Sequence, residues 1–189
     1  MDHAAIAAGV PALMPACQTG SSTDKGSPVS QVQFRGAMAN FATAVSVIAT
    51  DGFAGMAGLT CSAVCSVSDT PATLAVCVHG KSAANTIIKA NGVLSVNCLH
   101  ADQRELSQAF AGIGKVPMAD RFAMTNWTVL ATGAPCCRDA LVVLDCEIDD
   151  VRDIGTHSVF IVRVVATAQA ENLQPLIYQQ RDYATTRAL

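Results

Sequence analysis

The stretch from Gly58 to Asn85 constrains the fold more than any other part of the 189-residue chain. Its first half alternates with period two. Leu59, Cys61, Ala63, Cys65 and Val67 fall on one side of an extended strand, and Thr60, Ser62, Ser66 and Ser68 fall on the other. One side is a small-residue core face. The other is a row of hydroxyls that Val64 interrupts, a surface suited to a partly apolar ligand lying along it. After Pro71, Thr73-Leu74-Ala75-Val76-Cys77-Val78 is apolar almost throughout and reads as a strand buried on both sides. It delivers the chain to Gly80-Lys81-Ser82, where a helix is predicted over 83–90 and is closed by Asn91-Gly92.

A helix start that combines glycine, lysine and serine presents unpaired backbone N–H groups beside a cation, the requirements for holding a phosphate. Lys81 and Asn85 are candidates for contacting such an anion, with Ser82 as the cap. A capped helix beside a solvated lysine is the competing reading of the same residues. There is no G-x-G-x-x-G, P-loop or G-x-S-x-G in the chain, so a nucleotide would not be held by a Rossmann turn. His157, next to Gly155, is a candidate acid or orienting group, against a purely structural role at the start of a strand. Arg181 and Tyr183 read as a salt bridge and an aromatic lid on the core.

Elsewhere, Ser30-Gln31-Val32-Gln33 is a capping box that opens a helix with Phe34, Ala37, Met38 and Phe41 as its buried stripe. Residues 44–50 read as a strand that pairs through a glycine-rich turn with the hydroxyl strand as an antiparallel hairpin. A strand over 93–99 precedes a second box at Asp102-Gln103-Arg104-Glu105. That box opens a helix carrying Leu106, Ala109 and Phe110 that stops at Gly112. Residues 112–126 read as a loop lying over the ligand. In the strand over 141–151, Asp145, Glu147 and Asp149 share one face, read as wet or at the rim. It returns through Gly155 into a strand over 156–165, and 176–178 is a last short strand. Six or seven strands, a few short helices and no regular β-α-β alternation fit an α+β class, an antiparallel barrel with peripheral helices.

A net charge of −3 leaves no basic face for nucleic acid. Charged residues make up only 14% and apolar ones 51%, so some apolar surface is expected to meet another subunit. Eight cysteines sit mostly within apolar strand patterns, as buried reduced thiols of a cytoplasmic protein do. Cys61 and Cys65, four apart along a strand, would be about 13 Å apart, too far to share a metal or a disulfide. No metal site is expected, because neither the cysteine nor the histidine spacing matches a zinc pattern. Residues 1–29 read as a disordered leader without the basic start of a signal peptide, and no run approaches a membrane span. One domain is expected over 30–189.

Taken together, several runs resemble the short-chain flavin reductase family, most nearly the reductase components of 4-hydroxyphenylacetate 3-monooxygenases. They are Phe34-Arg35-Gly36-Ala37-Met38, residues 44–50, Gly58 to Ser68 with Pro71, Cys77-Val78, Lys81-Ser82-Ala83, Val96-Asn97, Phe110-Ala111-Gly112 and Gly155-Thr156-His157. The resemblance implies an FMN-binding split barrel, usually a homodimer, that reduces FMN or FAD with NADH or NADPH and passes the reduced flavin to a separate flavin-dependent monooxygenase. It implies that Thr60, Cys61, Ser62 and Ala63 contact the ring and ribityl chain, with Cys77 and Val78 beside them. Lys81, Ser82 and Asn85 would hold the phosphate, His157 would lie by the nicotinamide, and Phe110 would touch the dinucleotide or the dimer seam. Relatives often carry Asn-Ser where this chain has Ser62-Ala63, and a second proline where it has Ala72. Reduction of another acceptor, such as the cobalt of a corrinoid, and a flavin-binding module without turnover are the alternatives.

Overall fold

The structure is a computed structural model that describes residues 28–187. Most of the leader expected over 1–29 therefore lies outside the described residues. The first capping box forms in full. The Ser30 hydroxyl accepts from the Gln33 N–H, the Gln33 side chain accepts from the Ser30 N–H, and α1 follows as Gln31–Met38. After β1 (Thr43–Ala44) come β2 (Ser46–Thr50), β3 (Ala57–Cys61), β4 (Val64–Asp69) and β5 (Ala72–His79). The helix α2 (Ala83–Asn91) ends at Gly92, whose φ of 72° is the left-handed stop that the Asn-Gly pair announces. Next are β6 (Val93–Cys98), α3 (Arg104–Phe110), α4 (Met118–Phe122), β7 (Trp127–Thr128) and β8 (Cys136–Cys137). The long β9 (Val142–Ile154) and β10 (His157–Gln169) follow, and β11 (Ile177–Gln179) and β12 (Asp182–Ala184) close the described chain. No helix among the described residues is long and apolar enough to cross a membrane.

Seven strands pair antiparallel in the order β3-β2-β6-β9-β10-β5-β4. The two edges of that sheet are consecutive in the chain, with only Ser62 and Ala63 between β3 and β4. The sheet must therefore curl until its edges meet: the Cys77 N–H bonds the Ala63 carbonyl at 2.9 Å, carrying the β4–β5 ladder on to the crossover, and the Cys61 thiol at the end of β3 lies 3.4 Å from the Cys77 carbonyl of β5. This is the split barrel. Alternate residues of β2 divide between two cores. Ile48 joins Val76, Leu94, Cys146, Phe160 and Val162 inside the barrel, plugged by Ala84 and Ile88 of α2. Val47 and Ala49 face an outer layer with Leu106, Phe110 and Phe122.

Several expectations are corrected. The hydroxyl strand is not continuous: it breaks at Ser62-Ala63, and its phase reverses there. Val64 packs against the barrel core, while Cys65 and Val67 are exposed. β5 is not buried on both sides; only Val76 and Val78 are fully buried. The stripe of α1 is on the surface, with Phe34 59% and Phe41 61% exposed. The second box starts at His100 rather than Asp102, because the His100 ring accepts from the Asp102 N–H while Gln103 reaches back to the His100 N–H. The supposed loop over 112–126 contains α4, which buries Phe122. Asp145 is 0% exposed, its carboxylate accepting from the Ala131 and Thr132 N–H groups and the Thr132 hydroxyl. Three donors compensate the buried charge that alternation alone would put in water. Finally, the salt bridge expected of Arg181 forms with no described residue; Arg181 lies in the turn of a hairpin whose return strand packs Tyr183 against the core.

Candidate functional site

The crossover from β3 to β4 is where the site is built. Extended β-pairing stops at Cys61, so Ser62 and Ala63 stand exposed between the sheet edges. Three cavities meet along this segment. Thr60 and Ser62 border a cleft of about 450 Å³ toward α3 and the β11–β12 hairpin. Gly58, Thr60 and Ser82 border a second of about 360 Å³, which also takes in Arg121. Ser62, Ala63 and Cys77 border a third of about 770 Å³, walled by Phe34 and Met38 of α1 and by Phe41 just beyond it. These volumes span the roughly 300–1,000 Å³ of small-molecule sites, and the small side chains at the crossover leave room for a planar ring.

Each expected residue has a definite place. Thr60 is half-buried, its hydroxyl donating to the Ser107 carbonyl at 2.6 Å, which ties β3 to α3. The Cys61 thiol is buried, and burial pushes its pKa up to about 11. Burial raises that of Cys77 as well, so both thiols are neutral at physiological pH. Val78 is a core residue whose carbonyl accepts from Asn85. Phe110, 2% exposed, backs Gly58 and sits edge-on to Phe122 and Trp127.

The three residues expected around a phosphate are separated. Ser82 occupies the N-cap position of α2, but its hydroxyl caps nothing, and it borders the cleft that holds Thr60 and Arg121. Lys81 borders a different cavity of about 520 Å³ together with His79, Lys89 and His157. Asn85, 2% exposed, bonds the Val78 carbonyl at 3.3 Å and lies 3.4 Å from the Ser158 hydroxyl, so its amide braces β5 and β10 against α2.

His157 opens β10 directly opposite His79, their rings edge to face at 5.0 Å. Its Nδ1 shares a 2.8 Å hydrogen bond with the Thr156 hydroxyl, which orients the ring, and the His79 Nδ1 accepts from the Lys81 N–H. The same cavity holds Asp153, whose carboxyl lies below its ordinary pKa because Lys89 and Ser158 bond to it. Sequence reasoning missed His79, which looked like the end of an apolar strand, and Arg121, which lay in a segment read as loop. Pairing of β5 with β10, once recognised, would have exposed the first.

Comparison with known proteins adds an independent line. Residues 38–187 match the model of the flavin reductase like domain. The chain is 47% identical over 155 residues to "FMN reductase (NADH) RutF" of Acinetobacter baylyi, covering 82% of this chain and 81% of that protein. Among solved structures, flavin reductase PheA2 in its native state superposes with a TM-score of 0.77 at 30% identity, over 85% of this chain and all of the other. The styrene monooxygenase flavin reductase of Pseudomonas putida S12 superposes with a TM-score of 0.71 at 26% identity, over 82% of this chain and 98% of the other.

Proposed function

The chain belongs to the flavin reductase like domain family, and we propose on that premise that it is an NADH-dependent FMN reductase. The observation that carries the reading is the crossover at Ser62-Ala63. There the curled sheet brings its two edges together under small, exposed residues, with a cavity on either side. Of the pairs the sequence left open, FMN with NADH agrees with the name of the Acinetobacter relative. Hydride transfer from reduced nicotinamide to flavin is chemistry the two rings bring with them. What the chain must do is bind, orient and exclude water.

In this reading Thr60 to Ala63 line the ring and ribityl chain, with Cys77 beside them and Val78 acting through its main chain. Ser82 serves the phosphate from the cleft it shares with Arg121, Lys81 contributes its charge from the adjoining cavity, and Asn85 serves it only by bracing the start of α2. His157, oriented by Thr156, stands by the nicotinamide, and Phe110 fixes the depth of the cleft from behind Gly58. No proton has to be abstracted, which agrees with neutral thiols at Cys61 and Cys77.

The apolar wall that α1 leaves exposed supports a homodimer in which a second copy covers Phe34, Met38 and Phe41. Sedimentation of the purified chain should give the dimer, and Phe34→Asp with Phe41→Asp should give the monomer. Similarity to a reductase named for a monooxygenase supports delivery of reduced flavin to a separate flavin-dependent oxygenase. The test is NADH oxidation with and without added flavin or a corrinoid. Turnover that needs added flavin, FMN before FAD, is expected. Turnover only with the corrinoid would make the chain a cobalt reductase, and none with any acceptor would leave a binding module.

A further inference from the structure

His79 borders the same cavity as Lys81 and His157, and nothing in the reading above gives it a task. It ends β5 directly opposite His157, the first residue of β10, and the two rings meet edge to face at 5.0 Å. Its Nδ1 accepts from the Lys81 N–H at 3.1 Å. A ring nitrogen that accepts carries no proton, so the neutral imidazole keeps its proton on Nε2 and spends Nδ1 on the main chain.

The turn that this bond closes leads straight into α2. The Gly80 N–H donates to the Thr156 carbonyl at 2.9 Å, the Lys81 N–H to the His79 ring, and the Ser82 N–H to the His79 carbonyl at 2.9 Å. Three consecutive amides are therefore spent inside the protein, and the N–H groups that can meet an anion begin at Ala83. Two of the three acceptors are main-chain carbonyls that the fold supplies whatever the side chains; the third is the His79 ring. Asparagine or aspartate usually fills that place, accepting from the N–H two residues on. Here an imidazole does so, and His157, itself tied to the Thr156 hydroxyl at 2.8 Å, holds the ring from the neighbouring strand. Lys89 is engaged with Asp153 at 2.8 Å on another side of the cavity, so Lys81 is the cation whose course the ring governs.

We propose that His79 is a positioning residue for the flavin phosphate: by holding the Lys81 N–H it fixes the course of the Lys81 side chain and the entry of Ser82 into α2. It acts through Nδ1 and touches no ligand itself. The inference rests on the phosphate assignment of the reductase reading and adds the group that sets the geometry of that site. Without the ring the Lys81 N–H turns to water, and Gly80, free of side-chain restraint, lets the turn wander. Because water takes the place of the ring, the expected effect is modest and falls on the phosphate end of the ligand alone.

Substitution can tell the two ring nitrogens apart, since the amide oxygen of asparagine falls where Nδ1 lies and that of glutamine where Nε2 lies. The test is fluorescence titration of the wild type, His79→Ala, His79→Gln and His79→Asn with FMN and with riboflavin, which lacks the phosphate. FMN affinity should fall about fivefold in His79→Ala and His79→Gln and return to within about twofold of the wild type in His79→Asn, with riboflavin bound alike by all four. Equal losses of FMN and riboflavin would make the ring merely structural, rescue by glutamine in place of asparagine would put Nε2 on the ligand, and unchanged FMN affinity in His79→Ala would leave the turn indifferent to the ring; each overturns the proposal. Should His79→Ala fail to fold, the comparison of asparagine with glutamine decides alone. A wild type that binds FMN no better than riboflavin would sink the phosphate assignment itself, whereas a wild-type preference for FMN that the variants leave untouched sinks only the role of His79.

Discussion

Ser82 has the backbone of an N-cap, φ −69° and ψ 131°, and a hydroxyl that bonds nothing in the first turn. Serine at that position ordinarily spends its oxygen on the helix. Here the oxygen makes no bond to the helix, and of the first-turn N–H groups that of Asn85 turns back to the Ser82 carbonyl at 3.0 Å, which leaves those of Ala83 and Ala84 for a ligand, with Arg121 bordering the same cleft and Lys81 one residue upstream. Lys81→Ala combined with Ser82→Ala should therefore raise the Kd for FMN about tenfold or more. Riboflavin, which lacks the phosphate, should bind both proteins equally. An FMN titration that does not move would refute the phosphate assignment. Asn85 was legible as a residue of this turn, but its burial was not, because only the fold brings Ser158 and the Val78 carbonyl to its amide.

At the scale of elements, β3 meets α3 through a close approach. A Cβ on Gly58 would lie 2.7 Å from a Phe110 ring carbon and 3.2 Å from the Ile48 carbonyl. Phe110 cannot easily yield, since Phe122 and Trp127 hold its ring. Gly58→Ala should thus cost about 1–3 kcal/mol, read as a lower melting temperature; an unchanged one would mean that β3 and α3 are not packed as described. Which elements could be read beforehand follows from the same contacts. The α1 box, the Asn91-Gly92 stop and the β2–β3 hairpin depend on local chemistry and appear in the sequence. The break at Ser62-Ala63 does not, because the alternation of residue types runs straight through it and only barrel closure reverses the phase. The β11–β12 hairpin was hidden by a Gln180-Arg181 turn without glycine or asparagine. Asp145 was hidden by donors more than ten residues away in the chain.

Over the whole molecule, a barrel lined partly by thiols has a defined alkaline limit. Burial raises Cys61 to about 11, and burial together with the nearby Asp145 raises Cys146 to about 12, from an ordinary 9.0. A thiol whose folded pKa is raised contributes fully below its unfolded pKa and loses that contribution as pH climbs toward the folded one. Melting temperature should accordingly be flat up to about pH 9 and fall between about 9 and 11, and Cys61→Ala should fall less steeply. A curve that is level through pH 11 would contradict the burial described. The central claim is that barrel closure at the β3–β4 crossover creates the flavin seat. Ala63 is exposed, so Ala63→Trp should fold like the wild type while filling the space above the crossover. Fluorescence titration with FMN measures the claim most directly. The account predicts micromolar binding to the wild type and a loss of about tenfold or more in Ala63→Trp at equal melting temperature, whereas equal affinity in the two proteins would place the flavin elsewhere.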